Sequence, residues 1–461
     1  MNQRKRVWSL LLAVLLLLSA CQKSDPTPKE DTAPEKQQQE EQQEEEVPLE
    51  PVESFDPASY TNAMMLEDYD FFWTTLEENC APLGALREVA GADLEQWKEE
   101  YRQQVAALPD GDAEGFVGVM NSLSGKFGSF AHIYTPDTLV YHRYMDVGEY
   151  FWESETQKEL FQSDKVRAFY QWQDSLPRYQ KQLEAMKEND AVSEDEDGEL
   201  TSKSISSNIN LYRQGDTAVA MIKTFRFYGA DAADTIIDML QEFCLENLDA
   251  KDFIIDITRN GGGDSNLWYS GFEPLWAGKT FTENVTAIYK AGAVNVQMWD
   301  GWPENDPDVE LKELSDLGED EYPQLDRKSL ENCDGVATKT YVHDFTDVEN
   351  PNKKEFNGRI WLLVDSVNFS SSEMFVQFAK DNDIFTLVGT QTAGGGCSIA
   401  GPANMDAAMP NCGMLVRYSP FYFLNEDGTC NDLEGTHPDI EIESGETAMQ
   451  RCLKEIKKLQ K

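Results

Sequence analysis

Apolar and polar positions alternate in three distinct ways along this chain. Trp8–Leu18 is an apolar run, interrupted only by Ser9, behind Arg4, Lys5 and Arg6, too short for an ordinary membrane span. From Gln22 to Ser54 apolar positions thin out and no aromatic residue occurs. Pro26, Pro28, Pro34, Pro48 and Pro51 punctuate that stretch, and Glu44, Glu45 and Glu46 run together. Such a segment cannot bury enough apolar surface to fold and reads as a self-repelling tether. Beyond it the patterning becomes that of a globular protein. Residues 56 to about 128 read as helical, with Asp93 capping a helix from Leu94 toward Leu108 and another covering Ala113 to Leu123. Residues 136 to 210 are less distinct, and Glu184 to Glu199 predicts a solvated helix ending in a loop. From Thr217 the pattern sharpens: strand Ala218–Ile222, helix Ala232–Leu248 with Ile237, Leu240, Cys244 and Leu248 on one face, strand Phe253–Ile257. A second such unit follows, with strand Arg359–Val364, helix Ser371–Lys380 and strand Phe385–Val388. This alternation predicts an α/β core with a largely parallel sheet and helices on both faces. The acidic, Pro- and Asn-rich stretch 280 to 355 reads as a loop-bearing insertion. Gly413–Leu424 reads as edge strands and Glu446–Lys458 as a closing helix.

Composition narrows the function. The 461 residues carry 84 acids and 39 bases, a formal net charge of −45. That balance argues against nucleic acid as a partner, since phosphate contact needs clustered Lys and Arg. Four His in the whole chain, with no His-Glu-x-x-His, no paired Cys-x-x-Cys and no Walker-type loop, predict neither metal nor nucleotide cofactor. The N-terminal basic and apolar regions form a secretion signal. It ends Leu18-Ser19-Ala20-Cys21, which resembles a bacterial lipobox, so Cys21 is expected to be lipidated and to anchor the chain outside the cytoplasm. Seven further Cys remain, so at least one is unpaired even though export permits disulfides. Cys244, on the apolar helix face, is expected to be a buried thiol.

Three sites could carry chemistry. Asp256-Ile257-Thr258-Arg259-Asn260-Gly261-Gly262-Gly263 takes a buried strand into three glycines, which can present unobstructed N–H groups to a developing oxyanion. Alone, the glycines are better read as a simple tight turn after a strand. Val364-Asp365-Ser366-Val367-Asn368-Phe369-Ser370-Ser371-Ser372-Glu373 takes a strand through a loop into a helix. A Ser before a helix N-terminus lies near the positive end of the dipole, but Ser370 with Glu373 also fits a capping box. The third site is His132 in Gly128-Ser129-Phe130-Ala131-His132, a lone His that by itself is more often structural than catalytic.

Together, in this order, these segments resemble the C-terminal-processing or tail-specific peptidases and their tricorn-core relatives. Asp256 to Gly262 matches their Asp-Leu-Arg-x-Asn-Gly-Gly, and Ser370-Ser371-Ser372-Glu373 their Ser-Ala-x-Glu. Val388-Gly389-Thr390-Gln391-Thr392-Ala393-Gly394-Gly395 and Gly435-Thr436-His437-Pro438-Asp439-Ile440 match two later motifs. The resemblance covers about 215 to 445. It implies a ClpP/crotonase-like α/β sheet core with an N-terminal helical region, and Ser370 as nucleophile. The Lys that many members carry in the Gly-rich loop is absent from Gly394 to Ile399. The tricorn-like branch instead uses an upstream His, which implies His132 as base. Its orienting Glu falls on Asp432, with Glu434 close by, and Ala131 stands where that branch has Ser. Backbone N–H groups of Gly261 or Gly262 and of Ser371 would form the oxyanion hole. His437 competes as base and ranks below His132. Residues 136 to 210 lack a PDZ-like Gly-rich loop, so recognition of a free C-terminus is not implied.

The chain thus divides into a signal peptide (1–20), a lipidated Cys and acidic tether (21–55), an N-terminal helical region (56–135) and a charged intermediate region (136–210). An α/β peptidase core (211–445) and a C-terminal helix (446–461) complete it. The expected function is a lipid-anchored, extracytoplasmic bacterial serine peptidase acting on peptides or proteins without cofactor or metal. The alternative is an inactive peptidase scaffold that binds peptides or protein partners. An α/β-hydrolase esterase needs Gly-x-Ser-x-Gly, and Gly396-Cys397-Ser398-Ile399-Ala400 only approaches it.

Overall fold

A computed structural model describes residues 49–146, 154–191, 193–194, 200–227, 230–298, 306–348, 354–396 and 404–460. The signal peptide, Cys21, almost all of the tether, Cys397 and the segment 195–199 lie outside the described residues. Residues 51–461 form one compact unit.

The N-terminal region is helical, as its periodicity predicts. Helix α1 (Asn62–Asn79) buries Tyr69, Phe72, Trp73 and Leu76. The helix Leu94–Ala106 starts where Asp93 accepts the Gln96 N–H at 2.9 Å. The helix Ala113–Phe127 starts in the same way at Asp112, which accepts from Gly115 at 2.9 Å. Four further helices fill Thr138–Asp146, Glu155–Gln162, Asp164–Ser175 and Pro177–Asp190. The charged stretch beginning at Glu184 therefore ends its helix at Asp190, and a short antiparallel pairing, Ser193–Glu194 with Leu200–Thr201, follows it.

The main sheet has six strands. In chain order they are β1 (Ile209–Gln214), β2 (Thr217–Ile222) and β3 (Asp252–Asp256), followed after an excursion by β7 (Arg359–Val364), β8 (Phe385–Gly389) and β12 (Ile440–Glu441). Their spatial order is β12-β8-β7-β3-β2-β1. All neighbours are parallel except β1 and β2. The period of two along each strand divides the sheet between two apolar layers. Ala220, Ile255, Leu362 and Leu387 face helices α2 (Ala230–Glu246) and α3 (Ser371–Asp381), through Ile236, Leu240, Cys244, Phe375 and Phe378. Val219, Ile254, Trp361, Leu363 and Val388 face helix α4 (Ala448–Leu459), through Ala448, Cys452 and Ile456. Helices thus cover both faces, and Cys244 is a fully buried free thiol. The other described cysteines, Cys80, Cys333, Cys412, Cys430 and Cys452, are also free.

The excursion corrects one expectation. The stretch 280 to 355 contains β4 (Thr280–Tyr289), β5 (Val309–Lys312) and β6 (Gly335–Asp344). With β11 (Phe421–Phe423) they form a four-stranded antiparallel sheet in the order β11-β4-β6-β5. β4 pairs along its whole length with β6, from Thr280↔Asp344 to Tyr289↔Gly335. A separate pair, β9 (Met405–Ala408) and β10 (Leu415–Tyr418), packs against the N-terminal helices through Met405, Leu415, Val416 and Tyr418.

Candidate active site

β3 and β7 are parallel neighbours, so the loops at their C-terminal ends emerge side by side. The Ile257 N–H continues the ladder to the Leu363 carbonyl at 3.1 Å. Arg259 then turns at φ 69°, and its backbone N–H donates to both carboxylate oxygens of Asp365 at 3.1 Å. Two fully buried asparagines lock the loops together. Asn368 donates from Nδ2 to the carbonyls of Ile257 (2.6 Å) and Asn260 (3.1 Å), and its Oδ1 accepts from the Asp365 N–H at 2.6 Å. Asn260 donates to the Ile222 carbonyl at 3.1 Å and accepts from the Gly262 N–H at 3.0 Å. Side-chain amides here supply the partners that a ladder supplies inside the sheet.

Ser370 occupies the position before α3 at φ 59° and ψ −127°, a backbone region that ordinarily takes glycine and costs another residue about 1–3 kcal/mol. Its N–H is fixed to the Gly394 carbonyl at 3.1 Å. Its side chain makes no capping bond. Glu373 does not turn back to cap either: its buried Oε1 accepts from Asn431 Nδ2 (2.9 Å) and Thr436 Oγ1 (2.5 Å). The capping-box alternative is therefore not what this turn adopts. Gly262 lies directly against it. A Cβ on Gly262 would stand 2.4 Å from the Phe369 carbonyl oxygen and 3.0 Å from both Ser370 Cβ and Ser371 N. Only glycine allows this approach.

The expected oxyanion donors divide. The Gly262 N–H is taken by Asn260, so Gly262 contributes space and not a donor. The N–H groups of Gly261 and Ser371 have no acceptor among the described residues.

His132 reaches this turn from the N-terminal region. Tyr134 pairs with Arg417 of β10, which ties the segment after His132 to that strand. Ala131 and His132 are both left-handed, at φ 47° and 51°. The Ala131 peptide groups are clamped: its N–H donates to Asp432 Oδ1 at 3.2 Å, and its carbonyl accepts from the Ser419 N–H at 2.7 Å. The imidazole lies on the Phe369 ring, with centroids 4.3 Å apart and planes inclined by 35°. Phe369 thus carries the ring beside the residue that it precedes, Ser370. Among the described residues His132 Nε2 is buried without a partner, and no hydrogen bond joins it to Ser370. Burial first, then the positive charges of Arg417 and Arg226, push the imidazole down to about 3 and keep it neutral near pH 7.

Asp432 lies under the His132 loop, yet it holds the backbone of that loop and not the ring. Its Oδ2 is buried and has no partner among the described residues, and burial, aided by Glu373, pushes its carboxyl up to about 7. Glu434 is not brought to His132; its carboxylate accepts from Gln391 Nε2 at 3.1 Å. His437 is exposed, while His142 pairs with Asp174 and His343 with Glu283. Among the described residues no group of three His, Cys, Asp or Glu side chains is placed to hold a metal ion.

Residues 216–442 match the profile of peptidase family S41. The chain carries a peptidase family S41 domain. In the structure this S41 domain runs from the turn before β2 to the residue just after β12, and it contains the glycine turn, Ser370 and Asp432. His132 lies outside the matched segment. Among solved structures, the chain is similar to a lipoprotein from Streptococcus agalactiae (11% identity, 86% of this chain and 96% of that one, TM-score 0.45). It is also similar to mature CPAF complexed with lactacystin (12%, 86% and 98%, TM-score 0.44) and to the photosystem II D1 C-terminal processing protease (9%, 82% and 93%, TM-score 0.37). No curated protein matches the chain.

Within the S41 domain three residues have structural roles that the sequence motifs display without explaining. Asn260 and Asn368 latch the two loops, and Asn431 joins Glu373 to the Gly395 N–H at 2.9 and 2.8 Å. Their signal was available: each is a side-chain amide on a short loop or, for Asn431, at the start of a one-turn helix, in or beside the matching motifs, where backbone groups lose their ladder partners.

Proposed function

We propose that this chain is a serine peptidase held at the outer face of a bacterial membrane by a lipid on Cys21, with Ser370 as nucleophile and His132 as base. The observation that carries the reading is Ser370 itself: a strained residue at a strand-to-helix turn whose hydroxyl does no capping, against a glycine that admits nothing larger. Match to a peptidase family supplies the reaction class. In this reading Ser370 Oγ attacks the peptide carbonyl while His132 takes its proton. The oxyanion gathers the N–H groups of Gly261 and Ser371. His132 then protonates the leaving amine, and the acyl ester on Ser370 remains. Water, deprotonated in turn by His132, releases the acid and restores the serine. Asp432 acts by fixing the loop that carries the imidazole. Substrate would have to draw His132 onto Ser370, because no hydrogen bond joins them at rest, a common state of unliganded sites.

That missing bond also favours a second reading, a peptidase-fold lipoprotein that binds peptides without cleaving them. Incubation of the purified protein with β-casein, followed by mass spectrometry of the fragments, separates the two. The peptidase reading expects fragments from the wild type and none from Ser370→Ala. Fragments that persist unchanged in Ser370→Ala would rule out this nucleophile, and binding of casein peptides with no fragments would select the scaffold.

A further inference from the structure

The glycine turn after β3 has a second side. Gly262 admits Ser370, while Gly263, at φ 140°, admits the segment that follows β2. A Cβ on Gly263 would stand 2.1 Å from the Phe225 carbonyl oxygen and 2.6 Å from Arg226 N. Phe225 is zipped to the turn, donating to the Gly262 carbonyl at 3.2 Å and accepting from the Asp264 N–H at 2.8 Å. Arg226 is thereby set at the rim. Its N–H donates to Thr224 Oγ1 at 3.0 Å, and its Nη2 donates to the Gly261 carbonyl at 3.0 Å. One three-glycine turn thus has Ser370 on one side and a guanidinium on the other.

That guanidinium is exposed and has no carboxylate in ion-pair range among the described residues. Arg102, Arg213, Arg359 and Arg417 all pair with an aspartate. Arg259, on the same turn, is likewise exposed and unpaired through its side chain. The nearby carboxylates are engaged elsewhere: Asp365 accepts from the backbone of Arg259 and Val367, and Asp264 from that of Asn266.

We propose that Arg226, with Arg259 beside it, is a specificity-determining residue that receives an acidic side chain of the peptide substrate next to Ser370. The proposal rests on the peptidase reading above. A guanidinium has five N–H donors in a rigid fork. One is engaged by Gly261, which fixes the fork and leaves the remainder free for a carboxylate. The chain's net charge repels acidic peptides generally, so a small cationic rim at the nucleophile would be where such a peptide settles.

The test is cleavage profiling of a tryptic peptide library from a bacterial lysate, read by mass spectrometry, alongside fluorophosphonate labelling of the wild type. Sites cleaved by the wild type should be enriched in Asp or Glu at one fixed position from the scissile bond. Arg226→Glu should shift that position toward Lys or Arg. In matched peptides, Glu over Gln at that position should favour kcat/KM by about two- to fivefold, the scale of an exposed charge pair. Arg226→Gln should remove that preference. Ser370 labelling without cleavage, cleavage without acidic enrichment, or one profile shared by wild type and Arg226→Glu overturns the specificity alone. Absence of both labelling and cleavage overturns the peptidase reading, and the specificity with it.

Discussion

Asp432→Asn should make the protein more stable, and only at higher pH. The Asp432 carboxyl is buried, one of its oxygens has no partner among the described residues, and burial pushes it up to about 7 from the usual 3.8. The folded protein therefore holds this proton more tightly than the unfolded chain does. The resulting stabilisation is fully present below about pH 4 and is lost as pH rises through 7. At about 1.4 kcal/mol per pH unit, a rise of that size is worth about 4 kcal/mol. Asparagine is neutral throughout, and its Oδ1 can still accept the Ala131 N–H, so the clamp on the His132 loop survives. Urea unfolding followed by tryptophan fluorescence, at intervals from pH 4 to pH 8, measures the difference. The two proteins should be nearly equal at pH 4, and the variant should lead by roughly 2–4 kcal/mol at pH 8. His132 has the opposite sign: its depressed pKa costs stability as pH falls from about 6.5 toward 3. That contribution is common to both proteins and cancels in the comparison. A difference independent of pH, or a wild type that gains on the variant as pH rises, would refute the reasoning.

Ser370→Gly and Ser370→Ala both delete the hydroxyl, but φ 59° with ψ −127° suits only glycine. The Gly variant should be more stable than the Ala variant by about 1–2 kcal/mol in thermal or urea unfolding, and equal stability would show that the turn is unstrained. Gly262→Ala should push the Phe369–Ser371 turn away, since its Cβ would meet the Phe369 oxygen at 2.4 Å. Reactivity of Ser370 toward a fluorophosphonate should fall by about 100-fold, and an unchanged rate contradicts the packing described. Asn368→Ala removes the partner of three backbone groups, the carbonyls of Ile257 and Asn260 and the N–H of Asp365. It should cost about 2–4 kcal/mol in the same unfolding assay, and a loss well under 1 kcal/mol would mean water replaces the amide fully.

The parts of the fold that local periodicity specifies were legible. β7 occupies Arg359–Val364 as the apolar run predicts, and α2 buries Leu240 and Cys244 as its spacing predicts. What escaped depends on distant pairing. β4 and β6 carry polar residues on one face, such as Thr282 and Thr340, and each finds its partner only across the acidic stretch between them. Local patterning therefore suggests a loop. At the site, the glycine turn and Ser370 stood out through the order and spacing of their motifs, since each alone also reads as an ordinary turn or cap. Two details did not: that Asn260 would occupy the Gly262 N–H, and that Asp432 would grip the Ala131 backbone and not the imidazole. Both are choices among hydrogen-bond partners that only the assembled loops define. The stack of His132 on Phe369 likewise joins segments far apart in sequence.

The central claim is that Ser370 is a nucleophile served by His132. Fluorophosphonate labelling of the purified protein, with the modified residue located by tandem mass spectrometry, tests it most directly. The account predicts a single adduct on Ser370, absent in Ser370→Ala and formed far more slowly in His132→Ala. An adduct on another serine, or labelling of Ser370 at the same rate without His132, would contradict it.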